Sequence, residues 1–414
     1  MPGVTHNQDG ASTRTNDTTG PGPAGPEVIA FYLPQFHPIP ENDLAWGPGF
    51  VEWHNVVRAR PRYENHYQPH LPGELGFYDL RLPEVREAQA RLARQHGVTG
   101  FCYYHYWFSG RRPLSRPFDE VLAAGSPDFP FCLAWANENW TTRWDAGTED
   151  VFILQEYSEQ DDAEHIQFLI RAWADPRYIR IENRPLFFIY RAYRIPNLDR
   201  VLEEWRRKAI EAGVGDPYFV KFDTGGTDGE PPGSLGCDAS AEFLPHGIFQ
   251  LAAQRPNPNA GSFKSFDYGE AAEIYSARSS PDWIRFPCVV AGWDNTPRQP
   301  NGEPFILTGT SVDAYEQWLS TAIDRAASQG PGRGIVLINA WNEWAEGAHL
   351  EPDLERGRSL LEATARATGI DRPDRQDGAP PASGSPSSLP ELYADLYERY
   401  VALQQIHARH LAKS

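Results

Sequence analysis

The chain has 414 residues, with 56 acidic side chains against 38 basic ones, and its formal charge of -18 sets up a field that repels nucleic acid and anionic membrane surfaces. Cys102, Cys132, Cys237 and Cys288 lie far apart, three of them in apolar strand-like runs, which suits buried thiols rather than a disulfide framework or a metal site. No apolar leader and no stretch long enough to span a bilayer is recognisable, so the sequence predicts a cytoplasmic protein without a membrane span.

Residues 1–26 offer little to bury and are expected to be a disordered tail. Val28 to Leu33 reads as a first buried strand, stopped by Pro34 and followed by Gln35, Phe36 and His37. The long segment to Tyr78 holds Trp46, Trp53, His54, His66, Tyr67 and His70 among prolines, too aromatic for a plain linker. Helical spacing over Leu82 to His96 stops at Gly97, and Gly100 to Phe108 is the second strand. After a short helix from Phe118 to Ala124, a third strand, Phe131 to Ala136, runs into Asn137, Glu138, Asn139 and Trp140, with Arg143, Trp144 and Asp145 behind. Ala163 to Ala174 and Leu198 to Ala212 are helices; Leu186 to Tyr190 and Tyr218 to Phe222 are the fourth and fifth strands, the latter ending at Asp223. Ala239 to Leu244, carrying Glu242, is a weaker sixth. Phe286 to Gly292 is the seventh and delivers Trp293, Asp294, Asn295 and Arg298. A helix over Ser311 to Ser328 leads to the eighth strand at Ile335, and a last helix covers Leu354 to Ala367.

Eight apolar strands alternating with helices, each with polar or aromatic residues at its C-terminal end, predict an α/β fold of the (β/α)8 TIM-barrel type. A doubly wound sheet competes less well, because no Gly-x-Gly-x-x-Gly follows the first strand. The expected organisation is a single catalytic domain over residues 27–370, a Pro/Ser/Gly linker over 371–390 and an amphipathic C-terminal helix over 391–414.

The stretch from Gly334 to Pro352 concentrates the chemistry. An apolar run, Ile335 to Ile338, changes abruptly to Asn339, Trp341, Asn342, Glu343, Trp344 and Glu346. A tight turn puts Glu343 and Glu346 on one side of the backbone, between the two indoles. A carboxyl packed against an indole favours its neutral form and an acid role, while a better-solvated neighbour stays charged as base or nucleophile. Paired Glu are often a solvated face and Trp is often core, yet charged residues directly after a buried strand need partners or work to do. His37, His54, His66, His70 and His105 lack tight metal-ligand spacing and are expected to donate hydrogen bonds to sugar hydroxyls, so no metal or other cofactor is expected. Trp107, Trp135, Trp140, Trp144, Trp293, Trp341 and Trp344 at strand ends suit stacking on sugar faces, with core packing accounting for about half of them.

Ala30-Phe-Tyr-Leu-Pro-Gln-Phe-His37, the run Tyr103 to Trp107, Trp135-Ala-Asn-Glu-Asn-Trp140 and Asn339-Ala-Trp-Asn-Glu-Trp-Ala-Glu-Gly347 together resemble the WbsX proteins, known as glycosyltransferases of cell-surface polysaccharide loci. These in turn are similar to glycoside hydrolase family 99, the endo-α-mannosidases. The resemblance implies retention without a glycosyl-enzyme ester. Glu343 would act as base on the sugar's own 2-hydroxyl and Glu346 as general acid, then base. It matches Tyr190 and Tyr32 to aromatics of that family's site; His37, His70, His105, Trp107, Trp135, Asn137, Glu138, Trp140, Asp294, Trp341, Asn342 and Trp344 complete the expected substrate-binding set. The expected partner is an oligosaccharide or polysaccharide, cleaved or transferred by a glycoside hydrolase or transglycosylase. A nucleotide-sugar transferase is the second reading, although no Asp-x-Asp occurs and only Arg143, Arg191 and Arg298 offer themselves to a diphosphate. A non-catalytic carbohydrate-binding or assembly protein is the third.

Overall fold

The computed structural model describes residues 25–141, 151–224, 226, 227, 229–252, 263–299, 302–330 and 332–370, the side chains of 249 and 250 excepted. The expectations for residues 1–24, for Arg143, Trp144 and Asp145, and for residues 371–414 lie outside the described residues.

Nine strands carry the architecture: β1 (Glu27–Tyr32), β2 (Gly100–His105), β3 (Phe131–Trp135), β4 (Arg184–Ile189), β5 (Tyr218–Asp223), β6 (Ala239–Glu242), β7 (Arg285–Phe286), β8 (Cys288–Val290) and β9 (Ile335–Asn339). Starting at β1, parallel pairing runs through β2, β3, β4, β5 and β6 to β7 in one direction, and through β9 to β8 in the other. Only Pro287 separates β7 from β8. Its missing N–H interrupts the ladder, so Arg285–Phe286 bond to β6 while Cys288–Val290 bond to β9. The two fragments are one stave shared between two neighbours, and the ring closes across them in eight positions. The expected seventh strand, Phe286 to Gly292, is corrected accordingly.

Helices cover the outside: α1 (Pro83–Gln95), α2 (Arg116–Ala124), α3 (Glu159–Trp173), α4 (Leu198–Glu211), α5 (Tyr268–Ser276), α6 (Val312–Ala327) and α7 (Ser359–Ala367). Ser158, Asp267 and Ser311 cap α3, α5 and α6 by accepting from the backbone N–H three residues on. The α5 helix and a parallel pair of Lys264–Asp267 with Phe305–Thr308 were not legible in the periodicity. The segment before Tyr78, expected as an ordered loop, contains two short helices, Pro40–Trp46 and Trp53–Arg58.

Alternation along each strand decides what faces where. Phe31 on β1 stacks on Tyr104 of β2 and meets Phe222 of β5 edge-on, each at 5.6 Å, a cross-ring contact that only the barrel interior permits. Phe188 and Phe243 join them. The residues between point outwards: Tyr32 donates its hydroxyl to Gln89 on α1 at 2.7 Å, and His105 stacks on Phe168 of α3. All four cysteines are buried and free, Cys102 and Cys132 being register partners across β2 and β3.

Candidate active site

Beyond β9 the chain makes a narrow loop in which Asn342–Glu343 pair antiparallel with Ala348–His349 around a 3-10 turn, Trp344–Glu346. Gly347 closes it at φ 62°, in the left-handed region, and a Cβ there would stand 3.0 Å from the backbone N of Asp294. This is the tight turn the spacing predicts. Its two sides differ. Asn342 clamps Leu33 by accepting from its N–H at 2.7 Å and donating to its carbonyl at 3.0 Å, and Trp344 donates its indole N–H to Glu351 at 2.6 Å. Glu351 also accepts from Tyr78 at 2.7 Å and from Gln89 at 2.6 Å, so the inner side of the turn is fastened to β1 and α1.

Glu343 and Glu346 point the other way, onto one guanidinium. Arg298 donates from Nη2 to Glu343 at 3.0 Å, from Nη1 to Glu346 at 2.5 Å and from Nε to Glu52 at 2.8 Å. Its position follows from a pinned loop: Leu307 N–H donates to Trp293 O, Phe305 N–H to the Asn295 side chain, and Asp294 N–H to Glu346 O at 2.6 Å. Glu52 is held by its own N–H on Gln35 O and by Trp53, whose ring packs on Trp344 at 5.5 Å. Three carboxylates around one cation, Glu52 and Glu343 buried and Glu346 partly open to the cleft, cannot all stay ionised without cost. Burial raises the Glu343 carboxyl to about 8, the Arg298 charge opposing this and those of Glu346 and Glu52 adding to it. Burial raises Glu346 as well, again against Arg298.

The acid pair opens into a cleft of about 370 Å³ at the C-terminal ends of the strands. Tyr104, Tyr106, Trp140, Tyr190, Phe243 and His246 line it together with Gln35, Asn42, Trp46, Asn139 and Trp293. Glu138 also reaches it, tied to Arg191 at 2.6 Å.

Of the expected substrate-binding residues, Glu138, Trp140 and Tyr190 line this cleft. The others are placed elsewhere. Tyr32, His105 and Trp135 lie on the outward phase of their strands; His105 shares a hydrogen bond with His165 at 2.9 Å, and Trp135 packs on His165 and Trp205. Trp107 donates to Asp161 at 2.7 Å and stacks on His165. Asn137 fastens strand ends, accepting from Arg191 N–H at 2.8 Å. Trp341 packs on Phe101 in the core, and Asn342 and Trp344 belong to the inner side of the turn. The indoles therefore do not flank the carboxylates as expected. His37 is buried near Asp79, its pKa lowered by burial to about 4. Asp294 turns from the cleft to His66 at 2.6 Å and Gln68 at 2.7 Å, donors that hold its carboxyl low despite burial. His70 contacts His349 at 2.8 Å. Glu242 is taken up by Arg278 and Arg325.

Sequence reasoning missed Glu52 as a member of the site and read Arg298 only as a phosphate ligand. It also chose His105 and Trp107 where Tyr104 and Tyr106 line the cleft, a phase error of one residue. The parity of Phe31 and the aromatic alternation of β2 would have supplied the signal.

A closed parallel barrel with an acid pair after its eighth stave is an architecture of carbohydrate-active enzymes. The chain matches the family described as Glycosyltransferase WbsX over residues 28–364, and it belongs to that family. It is 42% identical over 345 residues to the "Uncharacterized protein WxcX" of Xanthomonas campestris pv. campestris strain B100, covering 82% of this chain and 49% of that protein. The chain thus spans about half the length of the curated relatives it matches. Among solved structures, a "Glycoside hydrolase-like protein" superposes with a TM-score of 0.55 at 16% identity, covering 84% of this chain and 97% of the other. The GH99 endo-alpha-mannosidase from Bacteroides thetaiotaomicron does so with a TM-score of 0.51 at 17% identity, covering 83% and 96%. At such identities the likeness is one of fold. Among the described residues, no helix is long and apolar enough to cross a membrane.

Proposed function

We propose that the protein cleaves or transfers a glycosyl unit of an oligosaccharide or polysaccharide with retention, using Glu343 and Glu346 as its acid/base pair. The observation that carries this reading is their convergence on Arg298 beside an aromatic cleft. In the first half-reaction Glu343 takes the proton of the 2-hydroxyl, O2 bonds to C1, the C1–O bond to the leaving group breaks, and Glu346 protonates the departing oxygen. In the second, Glu346 deprotonates water or an acceptor hydroxyl that attacks C1, the C1–O2 bond opens, and Glu343 returns its proton to O2.

Burial raises the proton affinity of both carboxyls, which suits the acid Glu346 but is the reverse of what the base Glu343 needs. The roles follow if a sugar entering the cleft parts Glu346 from Arg298 while the guanidinium stays on Glu343 and Glu52. Glu346 then gains proton affinity and Glu343 loses it. Transfer to an acceptor rather than water accords with the family's name. The nucleotide-sugar alternative is weakened because Arg298 and Arg191 are both engaged by carboxylates.

The test is incubation of the purified protein, without metal or nucleotide, with aryl α- and β-glycosides and short mannose-, rhamnose- and fucose-containing oligosaccharides, beside Glu346→Gln. Sugar release by the native protein alone supports the reading and gives the anomer. Turnover only after nucleotide sugars are added transfers the case to the second reading, and binding with equal retention by Glu346→Gln but no turnover to the third.

A further inference from the structure

Behind the catalytic turn lies a second polar cluster that the proposed reaction does not use. His70, His349 and Asp353 are all buried, and one ligand atom from each falls within 4.8 Å of the others. They come from two segments already joined by backbone hydrogen bonds: Gly73 N–H donates to Pro352 O at 2.8 Å and Leu354 N–H to Leu71 O at 2.9 Å. The cluster is thus held by the fold rather than by its own side chains.

Each group is oriented as a ligand would be. His349 Nδ1 lies 2.9 Å from Glu351 O, an acceptor, so Nδ1 carries the proton and Nε2 is left with a free lone pair. Trp344 stacks on this ring at 3.8 Å and fixes its plane. His70 Nδ1 stands 2.8 Å from that Nε2, with Tyr67 stacked on its ring at 4.2 Å. Asp353 accepts from Arg356 N–H at Oδ1, while its Oδ2, 3.9 Å from His349 Nε2, is buried without a hydrogen bond. The Tyr67 hydroxyl is buried beside the same Asp353 carboxylate.

A proton shared between the imidazoles explains the 2.8 Å contact but leaves Asp353 Oδ2 unmatched. His349 Nε2 takes that shared proton and the Nδ1 hydrogen of His349 faces Glu351 O, so neither ring proton is left for that oxygen. A divalent ion satisfies all three atoms at once. We propose that His70 Nδ1, His349 Nε2 and Asp353 Oδ2 bind a divalent transition metal of the zinc class, which staples the segment after β1 to the segment after β9. Two imidazoles with one carboxylate select such an ion over calcium or magnesium, which favour all-oxygen sets. On metal entry the His70 proton moves to its other nitrogen, and water from the cavity of about 420 Å³ that Tyr67 and His70 line completes the coordination. The His70 expected to bind sugar becomes a metal ligand instead. The ion sits behind Trp344, supporting the acid pair without touching the reacting sugar.

The experiment uses the untagged full chain, stripped with EDTA, dialysed against Zn²⁺ or Mg²⁺ and freed of excess. Metal content by mass spectrometry and thermal midpoint are read for the native protein and for Asp353→Asn. About one equivalent of zinc with a raised midpoint in the native chain, both lost in Asp353→Asn and neither produced by Mg²⁺, is the expected result. Substoichiometric zinc without a midpoint shift, or equal uptake by the variant, overturns the proposal. If Asp353→Asn fails to fold, Co²⁺ on the native chain decides: visible bands of a nitrogen- and oxygen-ligated site support it, and a spectrum of aqueous Co²⁺ overturns it. None of these readouts depends on turnover, so this proposal and the glycosyl chemistry stand or fall separately.

Discussion

The two sides of the Asn339–Pro352 loop each hold buried carboxylates, and they hold them differently. Glu351, on the inner side, accepts from three neutral donors, Tyr78, Gln89 and Trp344, and touches no cation among its hydrogen-bond partners. Glu343 and Glu346, on the outer side, share the guanidinium of Arg298 with Glu52 and face a cleft. The first arrangement saturates its acceptor and fixes a loop. Burial raises the carboxyls on both sides, Glu351 to about 7, but only the outer pair faces a cleft in which a proton can pass to a substrate.

The sharpest way to break this comparison is to remove one carboxylate from each side. Glu346→Gln should lower turnover about 10²–10⁴-fold while thermal unfolding moves little, since Arg298 keeps two partners. Glu351→Gln should do the opposite. Its amide presents N–H groups to donors and should cost about 2–4 kcal/mol of stability, read from denaturant midpoints, with any activity loss following the fold. If Glu351→Gln were stable and inactive, the inner side would belong to the chemistry.

A smaller effect sharpens the electrostatics. Glu343 is raised to about 8 when folded, so between its unfolded value of about 4.3 and pH 8 the native state binds the proton that the unfolded chain has released, and stability falls as pH rises. Glu343→Gln should flatten that decline between pH 5 and 8. Arg298→Met removes the charge opposing the shift and should steepen it, because both carboxyls then rise further; denaturant midpoints at the two pH values check the sign.

The smallest difference concerns aromatics one phase apart. Trp140→Ala should raise KM several-fold through about 1 kcal/mol of lost stacking, leaving the fold intact. Trp135→Phe should leave KM unchanged and cost about 1–2 kcal/mol of stability, because Trp135 packs between β3 and α4. Equal KM effects would mean that the barrel phase assigned to β3 is wrong.

By itself the sequence determined the eight-position barrel, six of the seven outer helices, and the turn that turns Glu343 and Glu346 together. Those are local: apolar runs, helical spacing and a three-residue offset bounded by Gly347 act within a few residues. Tertiary structure alone decided which of two neighbouring strand-end residues faces the cleft, so that Tyr104 and Tyr106 entered it while His105 and Trp107 turned to α3. It also decided that Pro287 splits one stave between β6 and β9. The same holds for the centre of the site. Arg298 reaches Glu343 across 45 residues and Glu52 across 246. Nothing in a linear pattern ties such distant groups; they meet because the ring closes and its loops converge at one end, where burial makes each charge depend on the others.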